Sequence, residues 1–147
     1  MPTVYLSVSY SCGLAVAAAS TSGPVGIDIE QPHRTIFDGF DEVALHPSER
    51  SRLTAMPLAA RTGAKAKAWV GKEAFLKCAG RGLHYPPTSV ELYWNGPIAH
   101  LLSWPPSVNN FVAYYPRLGI IALDCPNGVM GALAIASGDR DLQVLAI

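Results

Sequence analysis

The longest run of helix-forming residues extends from Leu58 to Cys78, and it constrains the fold more than any other part of the chain. It is rich in alanine and lysine, and it follows Met56-Pro57, where a proline ends the preceding helical pattern. Two glycines, Gly80 and Gly82, stand just beyond it and suit a left-handed C-terminal cap. The pattern predicts one long helix in the middle of the sequence.

Three side chains inside this run share one stripe of the predicted helix. Trp69, Glu73 and Lys77 lie four residues apart, so a helix places them one above the other. Taken alone, this spacing is typical of an amphipathic helix with Trp69 in the core and a Glu73–Lys77 ion pair in solvent. Its significance depends on whether another acidic pair in the chain lies against the same stripe.

Alternating and apolar segments on both sides of the helix predict strands. They lie at 3–9, 13–20 and 24–30 before the helix, and at 88–94, 97–104, 111–115, 118–125 and 129–136 after it. Asn95-Gly96 predicts a hairpin between two of the later strands, and residues 141–147 predict a short strand or a loose tail. Shorter helices are predicted near 39–45 and 46–56. The result is an α+β fold, a single domain over residues 1–147 with an antiparallel sheet and a central helical segment packed on it.

Composition points to a partner subunit. The chain has 147 residues, of which 50% are hydrophobic and 15% are charged. A domain of this size has a large surface for its volume, so the excess of apolar side chains predicts contact with another subunit.

Charge and cysteine content exclude several classes of protein. Eleven basic and eleven acidic residues cancel, so no overall field favours nucleic acid or an anionic membrane. No apolar run approaches the roughly 18 residues that would span a bilayer. Cys12, Cys78 and Cys125 are odd in number and lack CxxC spacing. They predict buried free thiols in a cytoplasmic protein.

An acidic pair lies on the strand VGIDIE at 25–30. Asp28 and Glu30 share one face of this strand, and the β-branched residues share the other. Carboxylates two apart on a strand face are about 7 Å apart and repel each other. Two interpretations remain open: a solvated sheet edge tolerates the repulsion, or a divalent cation such as Mg²⁺ turns it into coordination.

Together the strand and the helix resemble the 4′-phosphopantetheinyl transferases. VGIDIE resembles the family's G-[IV]-D-[IVL]-E strand, and WVGKEAFLKCAGRGL at 69–83 resembles its W-[ST]-x-K-E-A-x-x-K-x-x-G-x-G-[IL] helix. LHPSER at 45–50 resembles the F-[ST]-x-x-E segment, with Glu49 in the acidic position. VSYSCGLAVAAAS at 8–20 resembles a strand pair that usually contains S-H-S, and GVMGALAIA at 128–136 resembles a late core strand.

The resemblance implies transfer of the 4′-phosphopantetheine arm of coenzyme A to a serine of an apo acyl or peptidyl carrier protein, with release of 3′,5′-ADP. It implies that Asp28, Glu30 and Glu73 hold Mg²⁺ against the pyrophosphate. Glu73 would also accept the serine proton, directly or through water, and Lys77 would contact the phosphates and stabilise the leaving group. Such chemistry relies on positioning and charge neutralisation.

The resemblance also implies cofactor contacts from Ser9, Tyr10, Glu49, Lys72 and Lys77. Lys72 is the weaker phosphate candidate, since a lysine at that place could equally be solvated. Tyr10 stands where the family has the histidine of S-H-S, and a phenol carries no positive charge near neutral pH. Tyr10 either contacts coenzyme A with reduced affinity or packs against Trp69.

Two further departures from the family concern Gly71 and length. Gly71 replaces Thr, Ser or a similar residue, and glycine inside a helix costs about 1 kcal/mol relative to alanine, so a close approach there is expected. The chain resembles only the second half of the two-half, surfactin-synthetase-activating type. This predicts a homo-oligomer, a dimer or a trimer, as in the short holo-acyl-carrier-protein synthase type. The alternative is a catalytically degenerate relative that binds coenzyme A or a carrier protein as an accessory or scaffold.

Overall fold

The computed structural model describes residues 1–80 and 84–138. The strands are β1 (Tyr5–Ser11), β2 (Leu14–Ser20), β3 (Val25–Glu30), β4 (Glu91–Asn95), β5 (Ile98–Ser103), β6 (Arg117–Asp124) and β7 (Met130–Ser137). The α-helices are α1 (Phe40–Ala44), α2 (Pro47–Thr54), α3 (Leu58–Cys78) and α4 (Asn109–Tyr114). Short 3₁₀ helices span Pro32–Thr35, Pro87–Ser89 and Pro106–Val108.

Five strands form one antiparallel sheet in the order β3-β7-β6-β5-β4, and β1 and β2 form a separate antiparallel ribbon. The predicted hairpin at Asn95-Gly96 joins β4 to β5. A second tight turn joins β6 to β7, with Asn127 and Gly128 both in the left-handed region at φ 60° and 71°. The α+β fold with an antiparallel sheet is therefore confirmed.

Helix α3 packs closely across the sheet because two contact positions are glycines, which have no Cβ. A Cβ on Gly26 of β3 would collide with the backbone of Ala74 and Cys78, so α3 rests directly on this strand. A Cβ on Gly71 would lie 2.7 Å from the Trp94 ring and 2.8 Å from a Leu92 methyl carbon. The close approach predicted at Gly71 is confirmed. The buried centre of the interface contains Val70, Phe75, Leu76, Ile120, Ala132 and Ala134.

One prediction of secondary structure is wrong, and another is confirmed only in part. Residues 111–115, predicted as a strand, belong mainly to α4. The Phe111 ring contacts the Tyr115 ring one turn later, at a tilt of 50° and with centroids 5.1 Å apart. Trp104 anchors the start of this helix by donating from Nε1 to Asn109 Oδ1 at 2.8 Å. Residues 88–94 divide between the 3₁₀ turn Pro87–Ser89 and strand β4.

Other local predictions are confirmed in part. The helix ends at Cys78 and Gly80 adopts φ +72°, as expected for a left-handed cap. Gly82, the end of the 69–83 motif and the tail at 141–147 lie outside the described residues. All three cysteines are free, but only Cys78 is buried, and Cys12 is exposed in the β1–β2 turn. Among the described residues, no helix has both the length and the apolar character needed to cross a bilayer.

Candidate active site

Strand β3 and helix α3 bring Asp28 and Lys77 into contact. The Lys77 ammonium donates to Asp28 Oδ1 at 2.9 Å and to the Ile27 carbonyl at 3.0 Å. This pairing depends on Gly26, since any larger residue there would push the helix away from the strand. Asp28 is only 8% exposed, so the solvated-edge interpretation of the acidic pair is wrong. The ion pair predicted between Glu73 and Lys77 is also replaced by one between Asp28 and Lys77.

Glu73 lies one turn before Lys77 on the same face and is 7% exposed. Its Oε1 atom is buried and has no hydrogen-bond partner among the described residues. Burial, and then the nearby Asp28 charge, raise the pKa of Glu73 to about 7, with Lys77 partly opposing them. A buried carboxylate oxygen that lacks a hydrogen-bond donor costs free energy. This atom is therefore suited to binding a cation or a proton.

The pKa of Asp28 is also raised above its ordinary value. Burial is the main cause, and the hydrogen bond and charge of Lys77 offset part of it. Ser9 lowers the pKa further, and the charge of Glu30 raises it. In both carboxyls, burial raises the pKa by more than the Lys77 charge lowers it.

Three alternating serines of β1 hold β3 and its acidic residues in place. Ser7 Oγ accepts the amide of Ile27 at 3.0 Å. Ser9 Oγ accepts the amide of Ile29 at 3.2 Å and donates to Asp28 Oδ1 at 3.1 Å. Ser11 Oγ donates to Glu30 Oε1 at 3.2 Å. Side-chain hydroxyls thus take the place that backbone carbonyls have in an ordinary ladder.

The serine contacts were missed in the sequence, although alternation at positions 7, 9 and 11 was visible there. Ser9 was assigned to the cofactor, but its single hydroxyl proton goes to Asp28. In the described structure Ser9 positions a carboxylate, and its contact with coenzyme A stays a prediction.

Glu30 does not converge with the other two carboxylates. Its Oε1 accepts from Ser11 and, at 2.9 Å, from the Gln31 amide, and it lies 3.7 Å from Arg34 Nε. Within residues 1–80 and 84–138, no group of three or more His, Cys, Asp or Glu side chains is placed to hold a metal ion. The predicted three-carboxylate metal site is therefore not assembled in the described part of the chain, although the Asp28 charge acts on Glu73 and raises its pKa.

Lys72 is fully buried, which corrects its assignment to coenzyme A and equally its alternative as a solvated lysine. Its ammonium pairs with Glu49 and donates to the carbonyls of Ala44 at 2.8 Å and Pro87 at 3.1 Å. Burial is the main reason that the pKa of Lys72 is lowered, while the Glu49 charge opposes the shift. All three ammonium protons are directed to internal acceptors, so none is available to a phosphate.

Glu49 is the matching framework residue, and its assignment to the cofactor is corrected too. Its Oε2 accepts the His46 amide at 2.9 Å in a capping box at the start of α2. Its Oε1 accepts the Leu92 amide at 2.9 Å. The Glu49–Lys72 pair therefore ties α2 and α3 to β4 instead of forming part of a binding site.

Tyr10 lies on the outer side of β1 and is 72% exposed. It does not pack against Trp69, whose ring instead lies against Phe40 with centroids 5.9 Å apart. The predicted packing is therefore wrong. A contact between Tyr10 and coenzyme A stays a prediction, since its ring is open to whatever approaches the ribbon.

The cluster lies in a segment of the chain that matches a known protein family. Residues 24–104 match the sequence model of the 4′-phosphopantetheinyl transferase superfamily. That segment contains Asp28, Glu73 and Lys77. No match was found among curated protein sequences.

Solved structures share the fold. The holo-[acyl-carrier-protein] synthase of Thermotoga maritima superposes with a TM-score of 0.63 at 22% identity, covering 80% of this chain and 64% of that one, less than two thirds of its length. The acyl carrier protein synthase of Plasmodium yoelii with ADP bound gives 0.65 at 20% identity, with coverages of 80% and 96%. A holo-(acyl-carrier-protein) synthase from Bacillus anthracis in complex with CoA (3′,5′-ADP) gives 0.62 at 19%, with coverages of 79% and 96%. At these identities the likeness is one of fold.

Proposed function

The chain belongs to the 4′-phosphopantetheinyl transferase superfamily, and on that premise we propose that it transfers the 4′-phosphopantetheine arm of coenzyme A to a serine of an apo carrier protein. The single observation that carries this proposal is the cluster of Asp28, Glu73 and Lys77, in which Glu73 Oε1 has no hydrogen-bond partner among residues 1–80 and 84–138. Relatives of the same fold that bind ADP or CoA (3′,5′-ADP) support coenzyme A as the substrate.

We propose that Asp28 and Glu73 hold Mg²⁺. The proposal is supported by the buried Oε1 of Glu73, which has no donor within the described part of the chain, and by the raised pKa of both carboxyls. Hard carboxylate oxygens are the ligands that Mg²⁺ prefers. When bound, the ion would neutralise charge on the pyrophosphate oxygens. Glu30 would join only after leaving Ser11 and the Gln31 amide.

The protein's own residues would then perform the transfer. The serine oxygen attacks a phosphorus of the pyrophosphate, the bond from that phosphorus to the bridging oxygen breaks, and 3′,5′-ADP leaves. Glu73 would accept the serine proton, directly or through water. Lys77 has about 30% of its side chain exposed, so its ammonium can turn from Asp28 to the departing phosphate.

An accessory role without catalysis is the second candidate. The observation in its favour is Tyr10, an uncharged and exposed side chain at the position where the family motif has a histidine. Such a protein would keep the fold and bind coenzyme A or a carrier protein. The intact Asp28, Glu73 and Lys77 cluster favours the transferase, because a binding scaffold has no need for a buried carboxylate with a pKa near 7.

A transfer assay separates the two candidates. The full chain is incubated with coenzyme A, Mg²⁺ and a panel of apo acyl and peptidyl carrier proteins, and the carriers are weighed by mass spectrometry. We expect one added phosphopantetheine on a carrier serine, lost in Glu73→Gln and kept in Glu42→Gln, a matched change at an exposed position on α1. Coenzyme A binding without modification of any carrier would support the accessory role.

We also propose that the protein acts as a homo-oligomer. The high apolar content of a chain of this size supports a partner subunit.

A further inference from the structure

A cavity of about 410 Å³ lies between α2, the first half of α3 and β4. Its wall on α3 is made of small residues, Ala60, Gly63, Ala64 and Ala68, which leave the space open. Ala64 and Lys77 are more than three helical turns apart, or about 20 Å at roughly 1.5 Å per residue. The cavity is therefore separate from the candidate active site.

The other walls of this cavity are mainly apolar. The large apolar side chains that line it are Leu45, Leu53, Met56, Leu92, Trp94 and Met130. Methionine side chains adapt to the shape of what they contact. Cavities of roughly 300–1,000 Å³ with apolar walls and a few polar groups are typical of small-molecule sites. The walls favour a ligand with an aliphatic body.

Three cations line the cavity, and two of them already have acidic partners. Arg52 pairs with Glu91 at 2.9 Å, and Lys65 pairs with Asp41 at 2.7 Å. Lys67 has no carboxylate within ion-pair distance among residues 1–80 and 84–138. It is the cation of this cavity with a charge left to neutralise.

The position of Lys67 places that charge at the edge of the cavity. Its ammonium lies 4.7 Å from the centroid of the Trp94 ring and donates to the Gly96 carbonyl at 2.7 Å. An ammonium has three protons, so an anion could accept another of them. The acidic lining residue, Glu49, is already engaged by Lys72 and by two backbone amides. The polar edge is thus complementary to an anionic head group.

We propose that this cavity binds a carboxylate with an aliphatic chain of medium length. The carboxylate would pair with Lys67, and the chain would lie against Ala64 and the apolar walls. An ammonium–carboxylate hydrogen bond is among the stronger ones in proteins. Each methylene that leaves water raises the affinity about fourfold. This proposal does not depend on the proposed transferase activity.

Isothermal titration calorimetry of the full chain with decanoate at pH 8 tests the proposal. We expect one saturable site with a dissociation constant of about 10–100 μM. Butyrate, which has six fewer methylenes, should bind at least about 100-fold more weakly. Decanol, which has the chain without the charge, should bind about tenfold more weakly than decanoate.

Two variants locate the ligand. Ala64→Leu places a larger side chain in the cavity and should weaken decanoate binding at least about tenfold. Ala59→Leu is the matched control at an exposed position of the same helix, and it should bind like the wild type. Lys67→Gln should weaken decanoate binding about tenfold and leave decanol binding unchanged. Lys67 lies at the edge of the cavity, so this variant keeps the test valid if circular dichroism shows Ala64→Leu to be unfolded.

Several results would overturn the proposal. Failure of decanoate to saturate the wild type is the first. Decanoate binding that neither Ala64→Leu nor Lys67→Gln weakens would place the ligand elsewhere. Decanol that binds as tightly as decanoate would contradict the ligand class. Saturation by an amphipathic peptide helix, with no binding of decanoate, would assign the cavity to a protein partner instead.

Discussion

Replacing Glu73 by glutamine should stabilise the fold at alkaline pH while it abolishes transfer. Glu73 has a pKa of about 7 in the folded protein, against an ordinary value of 4.5. Because the folded value is the higher one, the folded state binds the proton more tightly. Its contribution to stability is complete below pH 4.5 and is lost as the pH rises to 7.

The size of this loss follows from the two values. At about 1.36 kcal/mol per pH unit, the gap between 4.5 and about 7 corresponds to about 3 kcal/mol. Solvent at the mouth of the site reduces the effect, so we expect about 2 kcal/mol. Glutamine has nearly the same shape and no charge, so Glu73→Gln should be more stable than the wild type by that amount at pH 8.

Urea denaturation at several pH values between 4.5 and 8 measures the difference. The free energies of unfolding of the two proteins should be similar at pH 4.5 and diverge as the pH rises. Mg²⁺ should stabilise the wild type at pH 8 and have little effect on Glu73→Gln. Glu42→Gln, at an exposed position, should follow the wild type throughout. Parallel curves for wild type and Glu73→Gln would refute the account of a strained buried carboxylate.

Three further substitutions test the framework around the cluster. Lys72→Met leaves the Glu49 carboxylate buried without its cation. It should lower the free energy of unfolding, measured in urea, by about 3–5 kcal/mol, and a loss below about 1 kcal/mol would contradict the buried pair. Gly71→Ala should destabilise by about 1–3 kcal/mol through overpacking, whereas Gly63→Ala, with open space around its Cβ, should stabilise by up to about 1 kcal/mol. Equal changes in melting temperature for the two alanine variants would count against the close approach at Gly71. Ser9→Ala removes one hydrogen bond to the Asp28 carboxylate. It should lower kcat in the transfer assay about tenfold and leave the KM for coenzyme A nearly unchanged. A change in KM alone would assign Ser9 to the cofactor.

Local patterns were sufficient for the main elements and for part of the site. The 58–78 helix and its end were predictable because proline, glycine and helix-forming residues act within a few positions. The tight turns at Asn95-Gly96 and 126–128 were predictable for the same reason. Asp28 could be matched to the helix because the strand pattern and the family motif agreed.

The remaining features depend on contacts between distant parts of the chain. Lys72 looks like any helix lysine in the sequence, and its burial depends on Glu49 and Pro87, which no local period places beside it. Residues 111–115 have strand-forming side chains, but packing of Phe111 against Phe75 accompanies a helix there. Glu30 was predicted beside Asp28, yet Ser11 of another strand holds its carboxylate.

The central claim is that Glu73 and its neighbours catalyse transfer, and the two reaction products test it most directly. The full chain, coenzyme A and Mg²⁺ are mixed with apo carrier proteins, and the modified serine and released 3′,5′-ADP are counted in one reaction. We predict one 3′,5′-ADP for each phosphopantetheinylated serine with the wild type, and neither product with Glu73→Gln. Equal yields from wild type and Glu73→Gln, or no product from either with any carrier, would contradict it.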